Sequence, residues 1–282
     1  MIVQMARILL FIPMYNCEKQ ILRVLGQIDQ RAAAWIERVV IVNNRSADHG
    51  EDVVINHLKA SGLPVDAVLL RNRDNYGLGG SHKVAFDYAL KNGFDYVVVL
   101  HGDDQGHLED LLPVLQSGDY SRYDCCLGAR FQKGSRLENY SAFRTFGNRV
   151  YNLLFSMVLR KRIYDLGSGL NLYDTRMLAS RFYERFPDNL TFNYCMILAS
   201  GALAQKIHFF PIRWSEDDQV SNVKMFRQAL GVLRMLVHYA LFKSAFMDKE
   251  HRAVPRERYD SDEIFALLNT RRGKGAGDAA HA

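Results

Sequence analysis

Short apolar runs alternate with amphipathic stretches along the first half of the chain. Arg7–Ile12, Arg38–Val42, Ala67–Leu70 and Tyr96–Leu100 are almost unbroken in Val, Ile, Leu and aromatic residues, and each stops at a polar cluster. Runs of this length without polar alternation predict strands buried on both faces. Between them, apolar residues recur at three and four: Ile21, Leu22, Leu25 and Ile28, then Val53, Val54 and Leu58 within Gly50–Ala60, then Val84–Lys91. Strand, polar turn and helix in repetition predict a doubly wound α/β sheet over roughly the first 130 residues. Further on, the pattern predicts a helix at Leu108–Gln116, a strand at Asp124–Gly128, a mostly apolar helix at Val150–Leu159, helices at Met177–Phe186 and Tyr194–Ala204, and a last strand at Lys206–Ile212.

In an open parallel sheet the carboxyl ends of the strands form the ligand crevice. The polar clusters sit there: Pro13-Met14-Tyr15-Asn16-Cys17-Glu18, Asn43-Asn44-Arg45-Ser46-Ala47-Asp48, Asn75-Tyr76-Gly77-Leu78-Gly79-Gly80 followed by Lys83, and His101-Gly102-Asp103-Asp104-Gln105. The last is the pivot, because carboxylate and amide oxygens at the end of a buried strand suit a hard divalent cation, Mg²⁺ or Mn²⁺, which neutralises phosphate. No G-x-G-x-x-G follows any strand, which argues against the usual nicotinamide or flavin cradle.

Composition narrows the classes. With 282 residues, 48% hydrophobic and 24% charged, the chain is long enough for one large α/β domain with an appendage. A formal charge of +5 is compatible with acidic ligands or an anionic membrane and too small to argue for nucleic acid. Four cysteines without paired spacing predict neither zinc nor a disulfide framework, and point to a reducing, cytoplasmic compartment. No stretch reaches the roughly 18 to 20 uninterrupted apolar residues of a spanning helix.

Taken in order, these loops resemble glycosyltransferase family 2, and most nearly its dolichol-phosphate mannosyltransferase and polyprenyl-phosphate branch, over about residues 7 to 223. Pro13–Glu18 matches P-x-Y-N-x-E, Asn43–Asp48 stands in the place of D-D-x-S-x-D, and Asn75–Gly80 with Lys83 matches N-x-G-x-G-x. His101–Gln105 stands for D-x-D-x-Q, Gly128-Ala129-Arg130 for G-S-R, and Asp165 with Ser168-Gly169 for D-x-x-S-G. The resemblance implies a GT-A fold, a Rossmann-like, mostly parallel sheet flanked by helices. It implies that Pro13, Tyr15, Asn16, Glu18, Asn43, Ser46, Asn75, Gly79, Lys83 and Asp103 bind a nucleotide-diphospho-sugar, and that Asp103 and Gln105, with Asp104 helping, hold the metal. Two departures stand out. His101 replaces the first aspartate and is an alternative metal ligand favouring Mn²⁺, and Asn43 replaces a carboxylate.

An inverting transfer to a hydroxyl needs a base, yet Asn189–Cys195, where related enzymes carry an acid, has none. A phosphate acceptor attacks without one, so the expected reaction moves a hexose to polyprenyl phosphate, with Arg130 and Arg144 on the acceptor phosphate and Asp165 shaping the pocket. Transfer to a hydroxyl of a surface glycan or glycolipid, with Asp165 or Asp188 as base, is the alternative; a silent nucleotide-sugar binder is another. Lys224 falls where the family has a loop that closes over the diphosphate.

The expected organisation is a catalytic domain at 1–223, an amphipathic basic helix at 224–247 and a charged, partly flexible tail at 248–282. Met225, Phe226, Ala229, Leu230, Leu233, Leu236, Val237, Ala240 and Leu241 recur at helical spacing while Arg227, Arg234 and Lys243 interrupt them. Such a helix either packs on the domain or lies in a membrane interface, which would set the protein peripherally on the cytoplasmic face.

Overall fold

The computed structural model describes residues 6–216 and 225–269. Eight strands form one sheet: β1 (Ile8–Met14), β2 (Ile36–Asn43), β3 (Asp66–Asn72), β4 (Tyr96–Leu100), β5 (Cys125–Ala129), β7 (Leu170–Asp174), β8 (Ile207–Pro211) and β10 (Ser261–Leu267). A small parallel pair, β6 (Arg136–Glu138) and β9 (Arg213–Ser215), lies apart. The sheet order is β10-β3-β2-β1-β4-β7-β5-β8. Strands β3, β2, β1 and β4 run parallel, as the alternation of strand and helix requires.

The unbroken apolar runs are explained by two cores, one on each face. Leu9, Phe11, Val40, Val42, Val97 and Val99 face the layer containing the Gly77–Lys91 and Phe192–Ala202 helices. Their sequence neighbours Ile8, Leu10, Ile12, Val39, Ile41 and Val98 face the layer of the Ile21–Gly26, Gly50–Ala60 and Leu112–Ser117 helices. Period-two side-chain alternation with both sides covered leaves no solvent face, so no polar alternation survives in the sequence.

Several boundaries differ from expectation. β7 enters between β4 and β5, antiparallel to both, which a turn-then-strand pattern does not reveal. The helix predicted from Val84 begins at Gly77, and the one predicted from Val150 begins at Ala142. Within Met177–Phe186 the helix is confined to Thr175–Leu178. The basic helix ends at Leu241, and a second short helix, Lys243–Asp248, follows. Part of the segment expected as a charged, partly flexible tail is a strand: β10 pairs antiparallel with β3 and extends the sheet edge. Ion pairs of Arg256 with Asp74 and Arg73 with Asp262 hold it there. Residues beyond Asn269 lie outside the described residues.

Candidate active site

The loops after β1, β2 and β4 interlock at the carboxyl edge of the sheet. Asn16, in the left-handed region at φ 51°, donates its backbone N–H to Ser46 Oγ (3.1 Å) and accepts from the Ala47 N–H (2.8 Å). The Glu18 N–H donates to Asp48 (2.8 Å), and the Glu18 carboxylate accepts from the His49 N–H (3.1 Å). Asn43 is buried; it donates to Glu51 (2.7 Å) and accepts from the Ser46 N–H (2.9 Å), while Arg71 on β3 pairs with the same glutamate. The carboxylate missing from position 43 thus has a neighbour in Glu51. The Gly102 N–H donates to Pro13 O (3.1 Å), and a Cβ there would stand 2.8 Å from that oxygen, so the β4 loop lies directly against the Tyr15 loop. Tyr15 is left 52% exposed, a flat ring at the rim. Three non-glycine residues with positive φ, Asn16, Arg45 and Asp104, fall one in each of these loops.

Asp103 lies within this junction. Burial pushes its carboxyl up to about 6, and the nearby charges of Asp104 and Glu216 push the same way. Gln105 approaches Glu216 at 3.4 Å, and Arg144 donates to the other oxygen of Glu216 at 2.5 Å. Both carboxylate oxygens of Asp104 are engaged, by Arg23 (2.5 Å) and Gln27 (3.1 Å), which corrects its expected part in holding a metal. His101 is corrected as well. Its N–H donates to Gly169 O, its ring fills the space that a Cβ on Gly169 would need (2.7 Å to Cγ), and it stacks edgewise on His82. Burial, aided by the Arg130 charge, pushes this imidazole down to about 4, and Nε2 is buried without a partner among the described residues. The imidazole, half-buried at the end of β4, is turned onto Gly169 and His82, and no carboxylate contact marks it as a metal ligand among the described residues.

No group of three His, Cys, Asp or Glu side chains that could hold a metal occurs among the described residues. Asp103 and Gln105 remain as oxygen donors, and two protein oxygens fit Mg²⁺, which draws most of its shell from phosphate and water.

Arg130 and Asp165, expected on the acceptor side, form a buried ion pair. Arg130 Nε and Nη2 each donate to Asp165 at 2.8 Å, and the Arg130 backbone N–H donates at 2.8 Å as well. Both residues are buried, and the guanidinium also lies 5.0 Å from the Trp214 ring and 5.8 Å from that of Tyr140. A carboxylate that accepts two guanidinium N–H groups and a backbone N–H cannot act as a free base. Asp188, the other expected base, accepts from Lys83 Nζ (2.7 Å) and Tyr259 Oη (2.7 Å).

Two expected nucleotide-site positions, Lys83 and Gly79, do not join the junction. Lys83 is buried, its ammonium donating to Asp188, Phe186 O (2.6 Å) and Tyr259 (3.1 Å), so it has no donor left for base or phosphate. Gly79 lies inside the helix, where a Cβ would meet Pro187 O at 2.4 Å, and its N–H donates to Asp188 O; the glycine serves helix packing and not a diphosphate. Asn75 does reach the junction, accepting from Asn44 of the β2 loop (2.8 Å). Lys224 lies outside the described residues. The sequence reading missed Glu51 and Glu216; each is a lone carboxylate outside a motif, and only the fold brings it in.

The glycosyl transferase family 2 model matches residues 10–182. The chain is 24% identical over 172 residues to the polyprenol monophosphomannose synthase of Mycolicibacterium smegmatis, covering 61% of this chain and 63% of that protein. It is 26% identical over 211 residues to the undecaprenyl-phosphate mannosyltransferase of Micrococcus luteus, covering 74% of this chain and 84% of that one. Among solved structures, S. aureus TarS 1-349 in complex with UDP aligns with a TM-score of 0.55 at 18% identity, over 86% of this chain and 68% of that one. The Mycobacterium tuberculosis glucosyl-3-phosphoglycerate synthase with UDP aligns at 0.54 and 12% identity, over 95% and 91%. These likenesses show the GT-A fold. By the family match over most of its length, the chain belongs to glycosyl transferase family 2.

Proposed function

We propose that this protein is a metal-dependent, inverting glycosyltransferase that moves a hexose from a nucleotide-diphospho-sugar to polyprenyl phosphate at the cytoplasmic face of a membrane. The observation that carries the acceptor class is that both candidate bases, Asp165 and Asp188, are engaged by cations; in this reading Arg130 and Arg144 serve the acceptor phosphate. A phosphate oxygen is already anionic at neutral pH and needs no base. The names of the two mannosyltransferase relatives support the same class.

In this reading the Pro13–Glu18 and Asn43–Asp48 loops bind the nucleoside, with Tyr15 as the flat contact. Asp103 and Gln105 would hold the divalent cation, which supplies positive charge to the leaving diphosphate. Arg130, fixed by Asp165 and its aromatic neighbours, and Arg144, fixed by Glu216, direct their remaining N–H groups at the acceptor phosphate. One acceptor oxygen attacks the anomeric carbon opposite the diphosphate, the bond to the diphosphate breaks, and its electron pair leaves with the nucleotide. A cation already held by a carboxylate needs little reorganisation as charge moves.

A second reading has one observation in its favour: Glu216 lies between Gln105 and Arg144, where a base for a hydroxyl acceptor would stand. Transfer by the purified chain, with Mg²⁺, a panel of nucleotide sugars and either a short-chain prenyl phosphate or glycan acceptors, separates the two. The phosphate reading predicts label on the prenyl phosphate and only a moderate loss in Glu216→Gln. Transfer to glycans alone, abolished in Glu216→Gln, would replace it.

A further inference from the structure

Helix Ala142–Leu159 presents an apolar stripe to solvent. Phe143, Phe146, Val150, Leu153 and Met157 recur at three and four residues and are between 39% and 68% exposed, while Asn152 and Phe155 on the opposite side are buried. The Met225–Leu241 helix packs alongside it and repeats the arrangement, with Val232, Leu236 and Tyr239 inward and Leu233, Val237 and Leu241 outward. An outward stripe of large apolar side chains on each of two adjoining helices is more than a water-facing surface ordinarily carries.

The charge around these stripes has one sign. No Asp or Glu occurs between Glu138 and Asp165, nor from Met225 to Met247. Arg149, Arg160, Lys161 and Arg162 line a cavity of about 600 Å³ under the first helix, with Phe131 and Tyr164 among its other walls. Lys161 Nζ donates to Gln205 O (3.1 Å), and the Arg162 guanidinium lies 4.9 Å from the Tyr164 ring. None of these four cations has a carboxylate partner among the described residues, whereas Arg130 and Arg144 at the site each do.

We propose that this face docks on an anionic phospholipid bilayer, the two stripes entering the acyl boundary and the cations of the cavity receiving lipid phosphates. Apolar and cationic surface on the same side is what an interfacial helix needs, and the absence of acids favours a lipid surface over a second copy of this chain, whose same face would repel it. The inference rests on the reading of a lipid-phosphate acceptor. It adds the surface through which such an acceptor is reached, and it brings in a helix that hydropathy alone presents as core.

The test is flotation of the full chain with vesicles of phosphatidylcholine, with and without phosphatidylglycerol. The chain is expected to float with the anionic vesicles and to be released by salt. Phe146→Gln with Leu153→Gln abolishes flotation, and Arg149→Gln and Arg160→Gln each weaken it about fivefold. All four side chains face solvent, so thermal unfolding stays unchanged and separates docking from misfolding. Equal flotation of these variants and the parent overturns the proposal. So does a concentration-dependent dimer that the Phe146/Leu153 variant breaks, which assigns the face to a second copy. Transfer to a water-soluble short-chain prenyl phosphate, without vesicles, is read in parallel. Flotation without transfer defeats the proposed reaction and leaves the docking face, and transfer without flotation does the reverse.

Discussion

Arg130 and Asp165 form a buried, bidentate pair, with two side-chain bonds of 2.8 Å and a third from the Arg130 backbone, at the point where the β5 strand leaves the sheet. This turns a residue that the motif order offers as a base into a support. The aspartate cannot be lost without stranding a cation beside the Trp214 and Tyr140 rings.

Asp165→Asn is therefore expected to lower stability by about 3 to 5 kcal/mol, since it strands the charge of Arg130 in a buried place. Urea unfolding measures this. A variant that unfolds like the parent yet transfers no sugar would return Asp165 to the role of base.

Gly169 has no room for a side chain, because a Cβ would stand 2.7 Å from the His101 ring. Gly169→Ala should cost about 1 to 3 kcal/mol through this overpacking. Adding His101→Ala should recover part of the loss, because the two positions share one space. Additive losses in a double-mutant cycle would show that the ring does not fill that space.

Burial pushes the His82 imidazole down to about 3, among Phe11, Phe86 and Phe192. The unfolded chain takes up this proton near pH 6.5 and the folded one does not. The contribution is thus intact above about pH 6.5 and is lost as the pH falls toward 3, amounting to about 2 kcal/mol by pH 5. Stability curves between pH 7 and pH 5 should be flatter for His82→Phe by that amount. Parallel curves would contradict it.

The doubly wound sheet was legible because strands buried on both faces leave unbroken runs such as Val97–Leu100, and because the polar loops recur at strand ends. Motif order led to the Tyr15, Asn43 and Asp103 loops, which the fold does bring together. What escaped is tertiary. Lys83 and Gly79 lie in a sequence that reads as a phosphate loop, but a helix packs them against Asp188 and Pro187, and no local pattern distinguishes the two uses of glycine. Glu51 and Glu216 carry no spacing signal, and β10 is a charged segment whose pairing with β3 lies about 190 residues away in sequence. The exposed stripe of Ala142–Leu159 has the same periodicity as a buried one.

In the proposed reaction the loop after β4 grips the diphosphate through Asp103, beside Tyr15 and Asn43. Calorimetric titration of UDP and GDP, each with Mg²⁺, into the parent and into Asp103→Asn tests it most directly. One nucleotide is expected to bind the parent only when Mg²⁺ is present, with at least about tenfold weaker binding to the variant. Equal binding by the two proteins, with or without the cation, would contradict it.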